Sequence, residues 1–251
     1  NAHDHIDPGA FILNLGGVRW AVDLGTEPMS YLSDANNPSI QAGYNSYYFY
    51  RRKGEGHNIV VINPDENLEI DQTAFAKVAP PVSGENAAYT SIDLSGAYAK
   101  SVDEYTRGYL VSDGRRSFTV RDEIKLKGQS ELYWFMHTQA DITIVDDHTA
   151  LLFEDGKQLK VQFITNAEEA QLSVMEAEKL PQSVQFTETA NPGVTKLAYR
   201  LQASGDVQIT VKMSLLGEPP SATPPQDIPI SQWSVDGVQS YEYSYPAAQI
   251  Q

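Results

Sequence analysis

Phe11-Ile12-Leu13-Asn14-Leu15-Gly16-Gly17-Val18-Arg19-Trp20-Ala21-Val22-Asp23-Leu24 reads as two strands folded back on a two-glycine turn. Phe11, Leu13 and Leu15 alternate with Ile12 and Asn14, the two-residue period of a strand with one buried face. Gly16-Gly17 supplies the positive-φ freedom of a tight hairpin turn, and Val18 to Leu24 returns as the partner. The same rhythm recurs at 58–63, 105–111, 117–125, 131–138, 141–145, 151–154, 159–165, 171–176, 183–187, 197–202 and 207–215. Asp113-Gly114 and Asp155-Gly156 sit between such runs as hairpin turns. Helical periodicity is almost absent. Many short strands with frequent turns predict an all-β fold, an antiparallel multi-stranded β-sandwich, not a parallel sheet with crossover helices.

Two stretches interrupt the rhythm. Residues 26–55 form a long connection rich in Tyr, Asn, Ser and Gly, and long irregular connections tend to carry function. Within it, Tyr48 and Tyr50 alternate onto one face and are expected in the core. Residues 219–229 are Pro-rich and read as a linker or an edge-covering segment. Beyond them Tyr241, Tyr243 and Tyr245 alternate like one more strand. The expected division is a sandwich over 1–218 and a linker with a C-terminal strand over 219–251. Asn1-Ala2 reads as a cloning scar, and the chain as a fragment of a longer protein.

The chain has 251 residues, enough for a substantial single core, and a net charge of −15. That charge argues against a nucleic-acid partner, which needs a basic face. It also sits awkwardly with a heavily sulfated glycan, so a polyanion would need a local positive patch. Arg51-Arg52-Lys53 is the dense candidate; Arg115-Arg116 follows a turn. With no cysteine, disulfides and thiolate metal sites are excluded. No apolar run is long enough to span a membrane as a helix.

His3, His5, Asp23 and His57 form the chemically suggestive constellation. Zinc takes about four ligands from imidazole, thiolate and carboxylate, and only the first and last are available here. In an extended segment residues two apart face one side, so His3 and His5 can enter one cavity together. Asp23 closes the return strand of the hairpin, and His57 arrives from the long loop. On chemistry alone, surface residues or hydrogen-bonded core groups explain such a set equally well.

The order His3/His5/Asp7/Gly9/Phe11, Gly16-Gly17, Asp23/Gly25, a Tyr-rich loop, then His57-Asn58-Ile59-Val60-Val61 resembles the β-domain of heparinase II/III-like polysaccharide lyases. The close match covers about the first sixty residues; the rest agrees as a string of short strands. The resemblance implies a supersandwich-type β-domain and a zinc site at His5, Asp23 and His57, with water as a common fourth ligand. It implies that His3 faces the substrate and that a loop tyrosine, Tyr31 first and Tyr44 second, serves as the acid. It further implies β-elimination on an anionic uronate-containing polysaccharide, with Arg51 and Arg52 as substrate-binding residues. The base and the other cleft wall would come from a missing N-terminal α/α-toroid, which leaves this chain alone inactive. A bacterial periplasmic, cell-envelope or secreted location follows from the same likeness.

Other residues read more plainly. His137, inside the apolar run 132–138, is expected to be a core histidine satisfied by a backbone group, and His148 to sit in a solvated turn. Asp7 is expected to orient a neighbouring histidine or to support the turn at Pro8-Gly9. A cupin would also use a His-x-His pair, yet expects a glutamate shortly after it, and residues 7–15 contain none. The non-enzymatic alternative is a carbohydrate-binding or structural sandwich that stacks sugars on exposed Tyr44, Tyr47 and Trp233.

Overall fold

The structure is a computed structural model that describes residues 5–32, 37–41, 43, 45–65, 68, 70, 71, 73–185, 187–217 and 228–235. The expected boundary at 218/219 and the strand expected at Tyr241, Tyr243 and Tyr245 lie outside the described residues.

Among the described residues fifteen strands follow in order: β1 Leu13–Leu15, β2 Val18–Ala21, β3 Val60–Ile62, β4 Lys77–Val78, β5 Val82–Ser83, β6 Ala88–Asp93, β7 Val102–Ser112, β8 Ser117–Leu126, β9 Ser130–Thr138, β10 Asp141–Asp146, β11 Thr149–Glu154, β12 Lys157–Thr165, β13 Glu169–Glu176, β14 Thr195–Ala203 and β15 Asp206–Leu215. They form a β1-β2 hairpin, a nine-stranded sheet β10-β11-β12-β15-β8-β7-β6-β4 with β5 also on β6, and a four-stranded sheet β13-β14-β9-β3. The strand pairings are antiparallel. The β-sandwich expected from the alternating pattern is the fold observed.

The hairpin turns use the residues anticipated. Gly16 and Gly17 have φ of 61° and 83°, and Asp155-Gly156 48° and 72°, the positive angles of a turn whose twist suits antiparallel strands. The core lies between the two sheets. Trp134 of β9 meets Phe163 of β12 edge-on at 5.3 Å, and Phe163 stacks on Tyr199 of β14 at 4.4 Å. Phe11 enters the same core, 5.8 Å from Trp134 and 5.6 Å from Phe118, which anchors the N-terminal segment.

The second face of the four-stranded sheet is buried as well. Phe135 and His137 point away from the inter-sheet core yet are fully buried, under the long loop and the segment 177–194. Such two-sided cover suits the apolar run 132–138, whose inner-face and outer-face residues are both hydrophobic.

Three differences from the sequence reading have physical causes. The described residues of 183–187 form no strand: side chains of Glu55, Lys179 and Gln185 take backbone groups of Leu180, Ser183 and Val184 that a partner strand would otherwise pair. Conversely, β6 has a polar sequence without a clean apolar face, and it was missed. Within 26–55, the chain makes single helical turns at Met29–Leu32 and Pro38–Gln41 and 3-10 turns at Ser46–Tyr48 and Gly54–Gly56.

Candidate functional site

The N-terminal segment is pinned through its turn. Ala10 N–H donates to Asp7 C=O at 2.9 Å, and Gly9 adopts φ 73°. The Gly9 carbonyl then accepts from Arg107 Nη1 at 2.9 Å and from the Tyr109 hydroxyl. A Cβ on Gly9 would stand 3.0–3.3 Å from Leu94, Tyr109 and Arg107, so glycine permits this close approach. The exposed Asp7 thus contributes its carbonyl to the turn. Ile6 N–H donates to Arg52 C=O at 2.9 Å, which sets His5 against the loop that ends at His57.

His57 emerges from a buried turn. Glu55 is fully buried, paired with Lys53 at 2.8 Å and accepting from Leu180 N–H at 2.6 Å and the Ser183 hydroxyl. A Cβ on Gly56 would lie 2.0 Å from the Tyr50 carbonyl oxygen, so no larger residue fits this passage.

These supports bring His5, Asp23 and His57 together. The ring centres of His5 and His57 are 5.2 Å apart, and His57 Nδ1 lies 3.1 Å from Asp23 Oδ2. A carboxylate only accepts, so Nδ1 carries the proton in that contact. Asp23 Oδ1 accepts from Gly25 N–H at 2.8 Å. The His57 hydrogen bond holds the Asp23 carboxyl down at about 2, and burial, then the neighbouring His57, lowers His5. Imidazole Nε2 of His57 is buried with no hydrogen-bond partner among the described residues.

Among the described residues no group of three or more His, Asp or Glu side chains is arranged so that it could hold a metal ion, His5, Asp23 and His57 included. The donor types suit zinc, which takes imidazole and carboxylate ligands, and two imidazoles on one tetrahedral ion stand with ring centres about 5 Å apart, near the separation of His5 and His57. The His57 nitrogen left for a ligand is Nε2, because Nδ1 donates to Asp23.

The other expected site residues fall differently. His3 and Tyr44 lie outside the described residues; Tyr31 sits on the helical turn Met29–Leu32, its side chain outside them. Arg51 is half-buried and ties the loop to 190–191, Nε donating to Asn191 Oδ1 at 2.8 Å and Nη2 to Ala190 C=O at 3.2 Å. Arg52 is 1% exposed, its guanidinium 5.2 Å from the Tyr47 ring centre, so it is built into the interior instead of onto a face a polymer can reach. Trp233, expected exposed, is buried against Gly108 and Tyr89, which removes it as a sugar platform. His148 lies in an exposed turn, with Nδ1 2.7 Å from the Tyr199 hydroxyl.

His137 is a core histidine, but side chains satisfy its ring: Nδ1 faces Asn58 Oδ1 at 3.1 Å and Nε2 the Tyr50 hydroxyl at 2.6 Å. Sequence reasoning missed this group and its neighbour Lys196. Their signal is faint, since Lys196 stands directly opposite His137 only once β9 and β14 are paired in register.

A β-sandwich with a His/Asp cluster at the hairpin's mouth defines the class. Its family is given by comparison: the family model "Heparinase II/III-like, C-terminal" matches residues 1–228, and the chain belongs to that family. Heparan sulfate lyase HepC from Pedobacter heparinus has a similar fold, with TM-score 0.61 and 14% identity over 84% of this chain and 30% of that one. A heparinase III, the BT4657 gene product, gives TM-score 0.60 and 16% identity over 87% and 31%. The chain therefore spans less than a third of the length of these structures. No curated protein sequence matches it. Among the described residues no helix is long and apolar enough to cross a membrane.

Proposed function

We propose that this chain is the β-sandwich part of a polysaccharide lyase that cleaves uronic-acid glycans by β-elimination, and that His5, Asp23 and His57 hold a zinc ion. The observation that carries the reading is the approach of these three side chains, 18 and 34 residues apart in sequence, with His57 contacting both His5 and Asp23 and its buried Nε2 without a partner among the described residues. Zinc bound there supplies a fixed positive charge that ties the N-terminal segment, the hairpin and the loop together. Family membership and the sandwich shared with heparan sulfate lyase and heparinase III support the lyase class.

In β-elimination a base removes the proton α to the uronate carboxyl while an acid protonates the leaving oxygen. The weakly acidic carbon needs its carboxylate neutralised by hydrogen-bond donors or positive charge. In this reading His3 binds that carboxylate or shuttles the proton, and Tyr31 or Tyr44 donates to the leaving oxygen. The base and the opposing wall come from an N-terminal α/α-toroid. Half a site loses the positioning that supplies much of the rate, so the chain alone is inactive. Its charge of −15, with Arg51 and Arg52 engaged inside the fold, favours a uronate glycan of modest charge over a heavily sulfated one. A bacterial envelope or secreted location goes with such a substrate.

The test is unsaturated-uronate absorbance on uronate glycans. The chain alone gives no rise, whereas the longer protein does and loses it with His3→Ala. Activity of the chain alone would overturn the divided site. A longer protein inactive on every uronate glycan would overturn the lyase reading.

A further inference from the structure

Asn58 is the point at which the three donor-bearing segments meet. It directly follows His57, and its Nδ2 donates to the carbonyl of Phe11 at 2.7 Å and of Val22, the residue before Asp23, at 2.9 Å. Its Oδ1 accepts from His137 N–H at 2.7 Å and faces His137 Nδ1 at 3.1 Å. Its own carbonyl accepts from Arg107 Nη1 at 3.1 Å, the same nitrogen that holds Gly9. Both amide protons and the side-chain oxygen of Asn58 are thereby used.

The polarity of this network is determined. Three of the partners are backbone groups whose donor or acceptor character cannot change, so the amide has one orientation. Oδ1 has no proton to give, so His137 Nδ1 donates and Nε2 accepts from the Tyr50 hydroxyl. The Tyr50 oxygen accepts from Lys196 Nζ at 3.0 Å, and Nζ also donates to Glu178 C=O at 2.7 Å. Donation runs one way, from Lys196 through Tyr50 and His137 to Asn58 and out to Phe11 and Val22. All four side chains are at most 2% exposed. A fully satisfied buried network holds one arrangement, because any alternative leaves polar groups without partners.

We infer that Asn58, held by the Lys196–Tyr50–His137 chain, is the positioning residue that holds the segments bearing His5, Asp23 and His57 beside one another before any ion arrives. The inference rests on the metal reading above and adds that the protein, not the metal, assembles the donor set. None of these four residues touches the ion; they act through the backbone of the segments that do.

The test uses Asn58→Ala and the milder Tyr50→Phe, which deletes one hydroxyl from the chain of donors. Zinc affinity is measured by chelator competition, cobalt(II) absorption reports ligand geometry, and nitrogen-15 spectra of the metal-free protein follow the His5 and His57 rings. Folded Asn58→Ala is expected to bind zinc about 10- to 100-fold more weakly, with an altered cobalt spectrum, as for other outer-shell partners. Tyr50→Phe is expected to shift the His5 and His57 resonances and to weaken zinc to a smaller extent. If Asn58→Ala fails to fold, Tyr50→Phe decides alone. Wild-type zinc affinity, cobalt spectrum and ring resonances in the folded variants would overturn the inference. If the unaltered chain binds no zinc, the metal reading fails by itself. Displaced His5 and His57 resonances in Tyr50→Phe would then still support the positioning role, and unmoved ones would end it.

Discussion

Arg107 and Asp122 form a two-bond ion pair with both side chains fully buried, Nε to Oδ1 at 2.6 Å and Nη2 to Oδ2 at 3.0 Å. Tyr105 adds a third bond to the same carboxylate at 2.7 Å. The remaining guanidinium nitrogen reaches Gly9 and Asn58, so a pair on adjacent strands β7 and β8 fastens both ends of the candidate site.

Removing one partner strands the other in the interior. Asp122→Ala is expected to cost about 3–5 kcal/mol in urea unfolding, whereas Arg107→Met with Asp122→Leu costs much less, because no unpaired charge remains. Equal losses for the single and double variants would show that the pair's burial is not the issue.

Gly56 and Gly108 both lack room for a side chain, but what they meet differs. A Cβ at 56 strikes the Tyr50 backbone at 2.0 Å, while one at 108 strikes the Trp233 ring at 2.8 Å. Gly56→Ala should cost at or above the upper end of the roughly 1–3 kcal/mol typical of overpacking, and should disturb His57. Gly108→Ala should instead displace the ring, seen as a red shift in tryptophan emission with His5 and His57 unchanged. Matching thermal stabilities for the two variants would contradict this ranking.

Burial lowers the Lys196 ammonium from its ordinary 10.5 to about 7. Between those values the unfolded chain holds a proton that the folded chain lacks, so this group makes stability rise with pH across the window, by up to about 1.4 kcal/mol per unit. Unfolding free energies measured from pH 7 to 9.5 should climb, and Lys196→Met should flatten the climb. The same slope in the variant would remove Lys196 as its source.

The fold was readable because two-residue alternation and the Gly-Gly and Asp-Gly turns are local properties, visible in Phe11–Leu15 and at Asp155-Gly156 without any partner. Residues 183–187 misled for the opposite reason. Their pattern is strand-like, but the side chains of Lys179 and Gln185 take the Val184 and Ser183 carbonyls that a neighbouring strand would need. In the site, the ordered spacing of His5, Asp23 and His57 carried the signal. Lys196 carried none, and the bonds that link it to Tyr50, His137 and Asn58 exist only when β9, β14 and the loop are stacked. Arg52, offered with Arg51 for substrate binding, is buried beside the Tyr47 ring, a placement that a run of charges in sequence does not show.

The most direct test of the central claim is zinc content by mass spectrometry of the purified chain and of His57→Ala. The account predicts one zinc per chain in the unaltered protein and none in the variant. No zinc in either, or undiminished zinc without His57, would contradict it and leave a sandwich whose His/Asp cluster is structural alone.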